Sequence, residues 1–248
     1  TYNGTQLAAP EAGRRAVALD VIPSDLLESI EVNKTPTPDM PAGSLGGNID
    51  IKSLSAFDRS DDFHSATVEA SYNQLMQQTS PKVSTVLSSI FDLAGNTDAA
   101  GLAFAGSYAK RKFGSENSET GGAWDFPAGL SKLQLRDYEI SRERLGLALN
   151  GDYRPNERQN YYARTLYSRF SDVEERQLLE AKFNSAQAVD TTGGAKLTHS
   201  VKQREETQRI SALVLGSNQT LGHYDWTLEA GMSRASEDDP FGIAGTVA

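Results

Sequence analysis

The stretch Arg144-Leu145-Gly146-Leu147-Ala148-Leu149-Asn150-Gly151-Asp152-Tyr153 alternates without a slip. Leu145, Leu147, Leu149, Gly151 and Tyr153 share one side; Arg144, Gly146, Ala148, Asn150 and Asp152 share the other. Period 2 is the signature of a strand, since a helix would repeat every ~3.6 residues. Leucines opposite charged and amide side chains imply one apolar and one polar face.

The same theme repeats along the chain. Ala66, Val68, Ala70 and Tyr72 alternate with Thr67, Glu69, Ser71 and Asn73. Leu102, Phe104, Gly106 and Tyr108 alternate with Ala103, Ala105, Ser107 and Ala109. Tyr224, Trp226, Leu228, Ala230 and Met232 alternate with Asp225, Thr227, Glu229, Gly231 and Ser233. Less regular runs cover Val83 to Leu93, Tyr161 to about Phe183 and Val201 to Ser217, giving about seven strands. The expected element between residues 63 and 236 is an antiparallel meander of hairpins.

The breaks differ in length. Ala94 to Asp98, Arg154 to Arg158 and Gln219 to Gly222 are tight. Gly114 to Asp137 and Ser185 to Ser200 are long, and a first short loop is placed at Met76 to Pro81. Apart from that loop, tight turns fall on one side and long loops on the other, an asymmetry found in outer-membrane barrels. Tyr72, Tyr108, Tyr138, Tyr153, Tyr161, Tyr162, Tyr167 and Tyr224 all fall in these runs, as interfacial girdle residues or as ordinary sheet residues.

The 248 residues suffice for one or two domains. Mean hydropathy is −0.48. A barrel strand averages lipid-facing and lumen-facing residues, so this value does not exclude a membrane. No apolar run of about 18 residues exists for a transmembrane helix. Cysteine is absent, which removes disulfides and thiol chemistry. The net charge of −9 with scattered Lys and Arg argues against a nucleic-acid partner. Thr1 to Pro10 lack the basic start and apolar run of a signal peptide.

Before residue 58 the pattern is mixed α/β. Ile22-Pro23-Ser24-Asp25 reads as a helix start, with Ser24 as cap and Asp25 at the positive end of the dipole. Leu26, Leu27 and Ile30 would form its apolar face. Val17 to Asp20 reads as extended, Ile30-Glu31-Val32 as a strand and Asn48 to Lys52 as another. Thr35-Pro36-Thr37-Pro38-Asp39 is irregular because two prolines remove donors. Asp58 to Asp62 is a polar junction.

The segment Leu19 to Met40, with Gly46-Gly47-Asn48-Ile49-Asp50-Ile51-Lys52 after it, resembles the end of the plug of TonB-dependent outer-membrane receptors. In that family a strand of the Ile30-Glu31-Val32 kind is followed by a turn, a Gly-Gly pair and a strand of the Asn48 to Ile51 kind. Asn3-Gly4 fits the plug's usual position for that pair. The likeness is dense over roughly residues 15 to 55 and diffuse beyond.

The resemblance implies residues 1–57 as the C-terminal part of a plug and 58–248 as the first part of an up-and-down transmembrane β-barrel of about 22 strands. It implies a larger receptor in the bacterial outer membrane, importing an external ligand with energy from the TonB complex. Lys34 to Met40 is similar to large receptors associated with carbohydrate uptake; siderophore receptors share the same plug end. A porin-like barrel or a surface adhesin is the alternative.

Catalytic chemistry is not expected. His64, His199 and His223 lie far apart, whereas a metal needs convergent ligands. The pairs Asp61-Asp62, Glu174-Glu175, Glu205-Glu206 and Asp238-Asp239 each send their two carboxylates to opposite faces, so none alone makes a glycosidase site. Gly43-Ser44-Leu45-Gly46-Gly47 lacks the Lys-Ser/Thr of a phosphate loop. No cofactor and no metal are expected. The candidate ligand contacts are Trp124, Asp125 and Phe126, in the loop from Gly114 to Asp137, where aromatic rings can stack on a sugar or an aromatic siderophore.

Overall fold

The computed structural model describes residues 1–13, 17, 19–35, 37, 40, 46–126, 129–187 and 194–247. The readings of Ala18, Pro36, Pro38, Asp39, Gly43-Ser44-Leu45 and the middle of the loop after residue 187 lie outside them. The fold is mainly β, 78% strand and 4% helical, and among the described residues no α-helical layer covers the sheet.

The N-terminal segment carries β1 (Leu27–Asn33) and β2 (Asn48–Ser53), an antiparallel pair with Ile30 opposite Ile51 and Val32 opposite Ile49. Tyr2 bridges to Ile51 beside them. The strands read at residues 30–32 and 48–52 are therefore present. The helix is not. Ser24–Leu26 forms a single 3-10 turn, its cap position is held by Pro23, which offers no side-chain bond, and the chain enters β1 at Leu27. Ile30 and Val32 are β-branched and find partners across the ladder, so pairing overrides the local start signal. Leu19–Val21 is likewise a 3-10 turn where extended backbone was expected. A third turn, Ala56–Asp58, has a reciprocal cap from Ser55 and Asp58.

The rest is one antiparallel sheet. Its strands are β3 (Phe63–Asn73), β4 (Gln78–Leu93), β5 (Asn96–Glu119), β6 (Trp124–Asp125), β7 (Gly129–Asn156), β8 (Gln159–Gln187), β9 (Ala195–Leu221) and β10 (Tyr224–Val247). Neighbours run β10-β9-β8-β7-β5-β4-β3, with the short β6 paired to β7. This is the expected meander, extended to residue 247. It is open: β3 and β10 are its edges among the described residues.

The tight turns are two-residue links. Leu93 pairs Asn96 around Ala94-Gly95, Asn156 pairs Gln159 around Glu157-Arg158, and Leu221 pairs Tyr224 around Gly222-His223. Ala94 and Gly95 both have positive φ, 55° and 83°, the backbone of a type I′ turn whose twist matches the strands.

Three loop positions need correction. The loop placed at Ser185 to Ser200 contracts at both ends, because β8 runs to Gln187 and Ala195 to Ser200 already pair with Phe183 to Leu178. The first loop is Gln74 to Gln77, because Asn73 pairs Gln78; Pro81 lies within β4 opposite Ala70. The loop placed at Gly114 to Asp137 contracts, because Gly114 to Glu119 pair with Glu139 to Gln134. Those residues are polar on both sides, so no apolar alternation marks them, yet the backbone ladder continues. β8 holds 29 residues, roughly 90 Å of strand.

The core lies between the N-terminal segment and one side of the sheet. Tyr2, Leu7, Val21, Ile22, Leu26, Ile51 and Leu54 pack on Ala103, Ala105, Ala148, Leu166, Phe170, Ile210, Ala212 and Val214. We call this side the inner face and its opposite the outer face.

Candidate functional site

Register carries the two faces across the whole sheet. On the outer face Val68 pairs Val83, Val83 pairs Tyr108, Tyr108 pairs Leu145, and Leu145 pairs Arg169. Leu228 pairs Ser217, which pairs Tyr161 and so Tyr153. Val68, Tyr72, Phe104, Tyr108, Leu147, Tyr153, Trp226 and Leu228 thus share the outer face, while Glu69, Asn150, Asp152 and Glu229 share the inner one. This is the division that alternation predicts.

The outer face has a charge-free band. Between Tyr153 and Leu145 on β7 every outer residue is Leu, Gly or Tyr. The matching windows are Ala100 to Tyr108 on β5, Tyr161 to Tyr167 on β8, Gln219 to Ser211 on β9 and Tyr224 to Met232 on β10; none holds an outward Asp, Glu, Lys or Arg. Its side chains stand open: Val68 is 78% exposed, Leu149 53%, Trp226 62% and Leu228 75%. Near the tight turns the band ends in aromatics, Phe91, Tyr153, Tyr161, Tyr224 and Trp226. Toward the longer loops it ends at Lys110, Glu143, Arg169, Arg209 and Arg234.

Beside its apolar core residues the inner face carries polar groups, many of them paired. Arg164 donates to both oxygens of Asp152, at 2.7 and 3.0 Å, and Ser55 donates to the same carboxylate at 2.8 Å. Asn150 donates to the Leu54 carbonyl at 2.7 Å. Tyr2 donates to the Thr165 carbonyl at 2.9 Å, and Tyr162 to Glu229 at 2.8 Å. Farther along the strands, Asp172 and Glu206 each bind an arginine at about salt-bridge contact: Arg142 at 2.9 Å and Arg204 at 3.0 Å. Buried ionic groups are tolerated only when so compensated.

Backbone and side chains meet closely at Gly146. A Cβ there would stand 2.6 Å from the Pro23 ring and 2.7 Å from Leu26. Gly146→Leu is therefore expected to lift residues 19–27 off the sheet, at about 1–3 kcal/mol. Amide exchange in that stretch should accelerate by roughly 5- to 150-fold. Gly151→Ala, where a Cβ meets only ordinary contacts on the outer face of the same strand, should leave it unchanged. Equal protection in both variants would mean that the segment does not depend on this contact.

Asp25 ties the segment to the sheet electrostatically. Burial opposes its charge, but Lys82 at 3.2 Å and Ser107 at 3.0 Å, with Ser84, outweigh it and hold the carboxyl below its ordinary 3.8. A carboxyl lowered on docking contributes above its free value and loses that contribution as pH falls through the docked value. The contact should thus be complete above about pH 4 and weaken below it. Spin labels at Glu28 and Ser89, in a chain with no cysteine of its own, would report a lengthening distance on acidification. An identical titration in Asp25→Asn would assign the transition to other groups.

Trp124, Asp125 and Phe126 come together at the tip of the β5–β7 connection. Trp124 pairs Leu130 and Asp125 pairs Gly129. The Trp124 and Phe126 rings stack with centroids 5.8 Å apart, and the residues stay 51% and 81% exposed. The geometry provides an exposed aromatic platform beside a carboxylate. A recess of about 690 Å³ lies elsewhere, at the tight-turn end against Arg154, Gln159, Asn218 and Trp226.

The three histidines stay apart. The acidic pairs do something that alternation within one strand does not reveal: Glu206 from one pair and Asp239 from another converge with Glu237, their oxygens within 4.8 Å of one another. Cross-strand register brings them together, with Arg204 and Gln208 bound to Glu206.

Comparison with family models, curated proteins and solved structures finds no match to this chain.

Proposed function

We propose that this chain is wall and plug of an outer-membrane active transporter, a receptor that takes an external ligand and imports it with energy from the TonB complex. The observation that carries this reading is the charge-free outer band, continuous from β3 to β10 and backed by a docked N-terminal segment. Leu145 to Tyr153 span about 26 Å along the strand, and a tilted strand needs about 9–11 residues to cross a bilayer. The upper border steps down from Glu143 on β7, through Arg169 and Arg209 in the row of Leu145, to Arg234 in the row of Leu147, four residues lower, as tilted strands require.

In this reading the outer face meets lipid. Tyr153, Tyr161, Tyr224 and Trp226 lie at the periplasmic interface, and the longer connections face outside. Residues 1–57 fill the interior and obstruct passive flow, which supports a gated transporter over a porin-like barrel or an adhesin. Trp124, Asp125 and Phe126 stand on the outside as ligand contacts, with a carbohydrate or an iron-siderophore as ligand. No chemistry on the ligand is required.

The test is energy dependence. In cells producing the protein, ligand accumulation should collapse when the inner-membrane coupling complex is deleted. Uptake that survives the deletion and responds only to concentration would point to a passive pore. A cysteine at Ser131 should react with an impermeant reagent from outside intact cells, and one at His223 only after permeabilisation.

A further inference from the structure

We propose that Arg169, Arg209 and Arg234 form a binding site for a phosphorylated lipid headgroup in the leaflet on the long-loop side. The inference rests on the membrane reading above. Arg169 and Arg209 are direct cross-strand partners on the outer face. Arg234 pairs Ser211, two residues from Arg209, so it stands diagonal to that arginine. Like charges placed directly opposite destabilise a sheet, and neutral side chains at these positions would avoid the repulsion.

Three arginines on the inner face are placed differently. On the inner face Arg142, Arg164 and Arg204 each hold a carboxylate. Among the described residues Arg169, Arg209 and Arg234 hold none. Glu143, the carboxylate diagonal to Arg169, is taken by Lys110. Asp238, opposite Thr207, stands diagonal to Arg209 but forms no ion pair with it among the described residues, and Glu205 lies four residues farther along β9, roughly 13 Å away.

Position supplies the second argument. The three guanidinium groups are the first charges met beyond the apolar band on β8, β9 and β10. Immediately below them on the same face lie Tyr167, Ser211 and Met232, with Leu213 beyond Ser211 and opposite Met232. A lipid could lay its acyl chain on these side chains and place its phosphate among the arginines. Guanidinium binds phosphate oxygens in paired hydrogen bonds, which a point charge does less well. Basic residues at a membrane surface also draw anionic lipid. A phosphate there would relieve the cross-strand repulsion that the bare sheet carries.

The probe is phosphatidic acid, with diacylglycerol as the same lipid lacking phosphate. Protein extracted from the membranes of producing cells is exchanged into phosphatidylcholine nanodiscs containing a few per cent of either, and co-retained lipid is counted by native mass spectrometry. Retention of phosphatidic acid should exceed that of diacylglycerol by tenfold or more, on the order of fivefold per arginine. The triple variant R169Q/R209Q/R234Q should bring the ratio near one, and R158Q, at the opposite end of β8, should leave it intact. Millimolar inorganic phosphate should not displace the lipid; full displacement would overturn the proposal in favour of a free-anion site. Insertion is read separately, by protection of the β8–β9 turn-side halves from protease. A protein that inserts but shows no phosphate preference overturns this site alone. A protein that does not insert overturns the membrane reading and the site with it.

Discussion

Leu149→Arg should cut membrane insertion by roughly 30- to 900-fold. Leu149 lies midway between Leu145 and Tyr153, opposite Phe104, and is 53% exposed on the outer face. In water such a residue tolerates Arg, within about 0.5 kcal/mol. Facing hydrocarbon, the same change costs about 2–4 kcal/mol at mid-bilayer, which converts to that factor at about 1.4 kcal/mol per decade. The control is Leu197→Arg. Leu197 is 60% exposed on the same face of β9, opposite Ala181, but far above the band. Partitioning into vesicles, followed by protease protection, separates the two. Equal insertion of both variants would remove the basis for assigning the band to lipid.

Placed in buffer without amphiphile, residues 1–248 should self-associate. Two features drive this. The outer face exposes Val68, Tyr72, Leu102, Leu149, Leu215, Trp226, Leu228 and Met232 in one continuous strip, far beyond what isolated surface apolar residues produce. The edges β3 and β10 present unpaired N–H and C=O groups along their lengths, a template for pairing with another copy. Detergent should disperse the strip but not supply edge partners, so no heat-resistant barrel is expected. Sedimentation velocity checks both statements. A monodisperse, cooperatively unfolding monomer without detergent would refute this expectation and weaken the outer-membrane proposal.

The helix expected at Ser24 and the loop expected at Gly114 fail for related reasons. Pro23, Ser24 and Asp25 do suit a helix start. They are worth about 1 kcal/mol, less than the ladder that β1 forms with β2. Gly114 to Glu119 carry no apolar alternation to mark a strand, yet β7 offers them a full set of backbone partners. The Ala56–Asp58 turn shows the opposite case, a cap from Ser55 and Asp58 in a stretch read only as the edge of a junction.

Alternation alone determined which side chains share a face in β3, β5, β7 and β10, and the breaks in it located tight turns near Ala94, Glu157 and Gly222, which the ladder then narrowed to two-residue links. Those are local properties: side-chain direction reverses at every residue, and turn geometry needs only its own few positions. Tertiary structure decided the rest. Only register could show that the outer windows line up into one charge-free band, that Glu206 meets Glu237 and Asp239, and that Arg169 faces Arg209. Only packing could place Pro23 and Leu26 over Gly146. These contacts join residues tens to more than a hundred positions apart, and no single stretch of chain contains the partner that makes them.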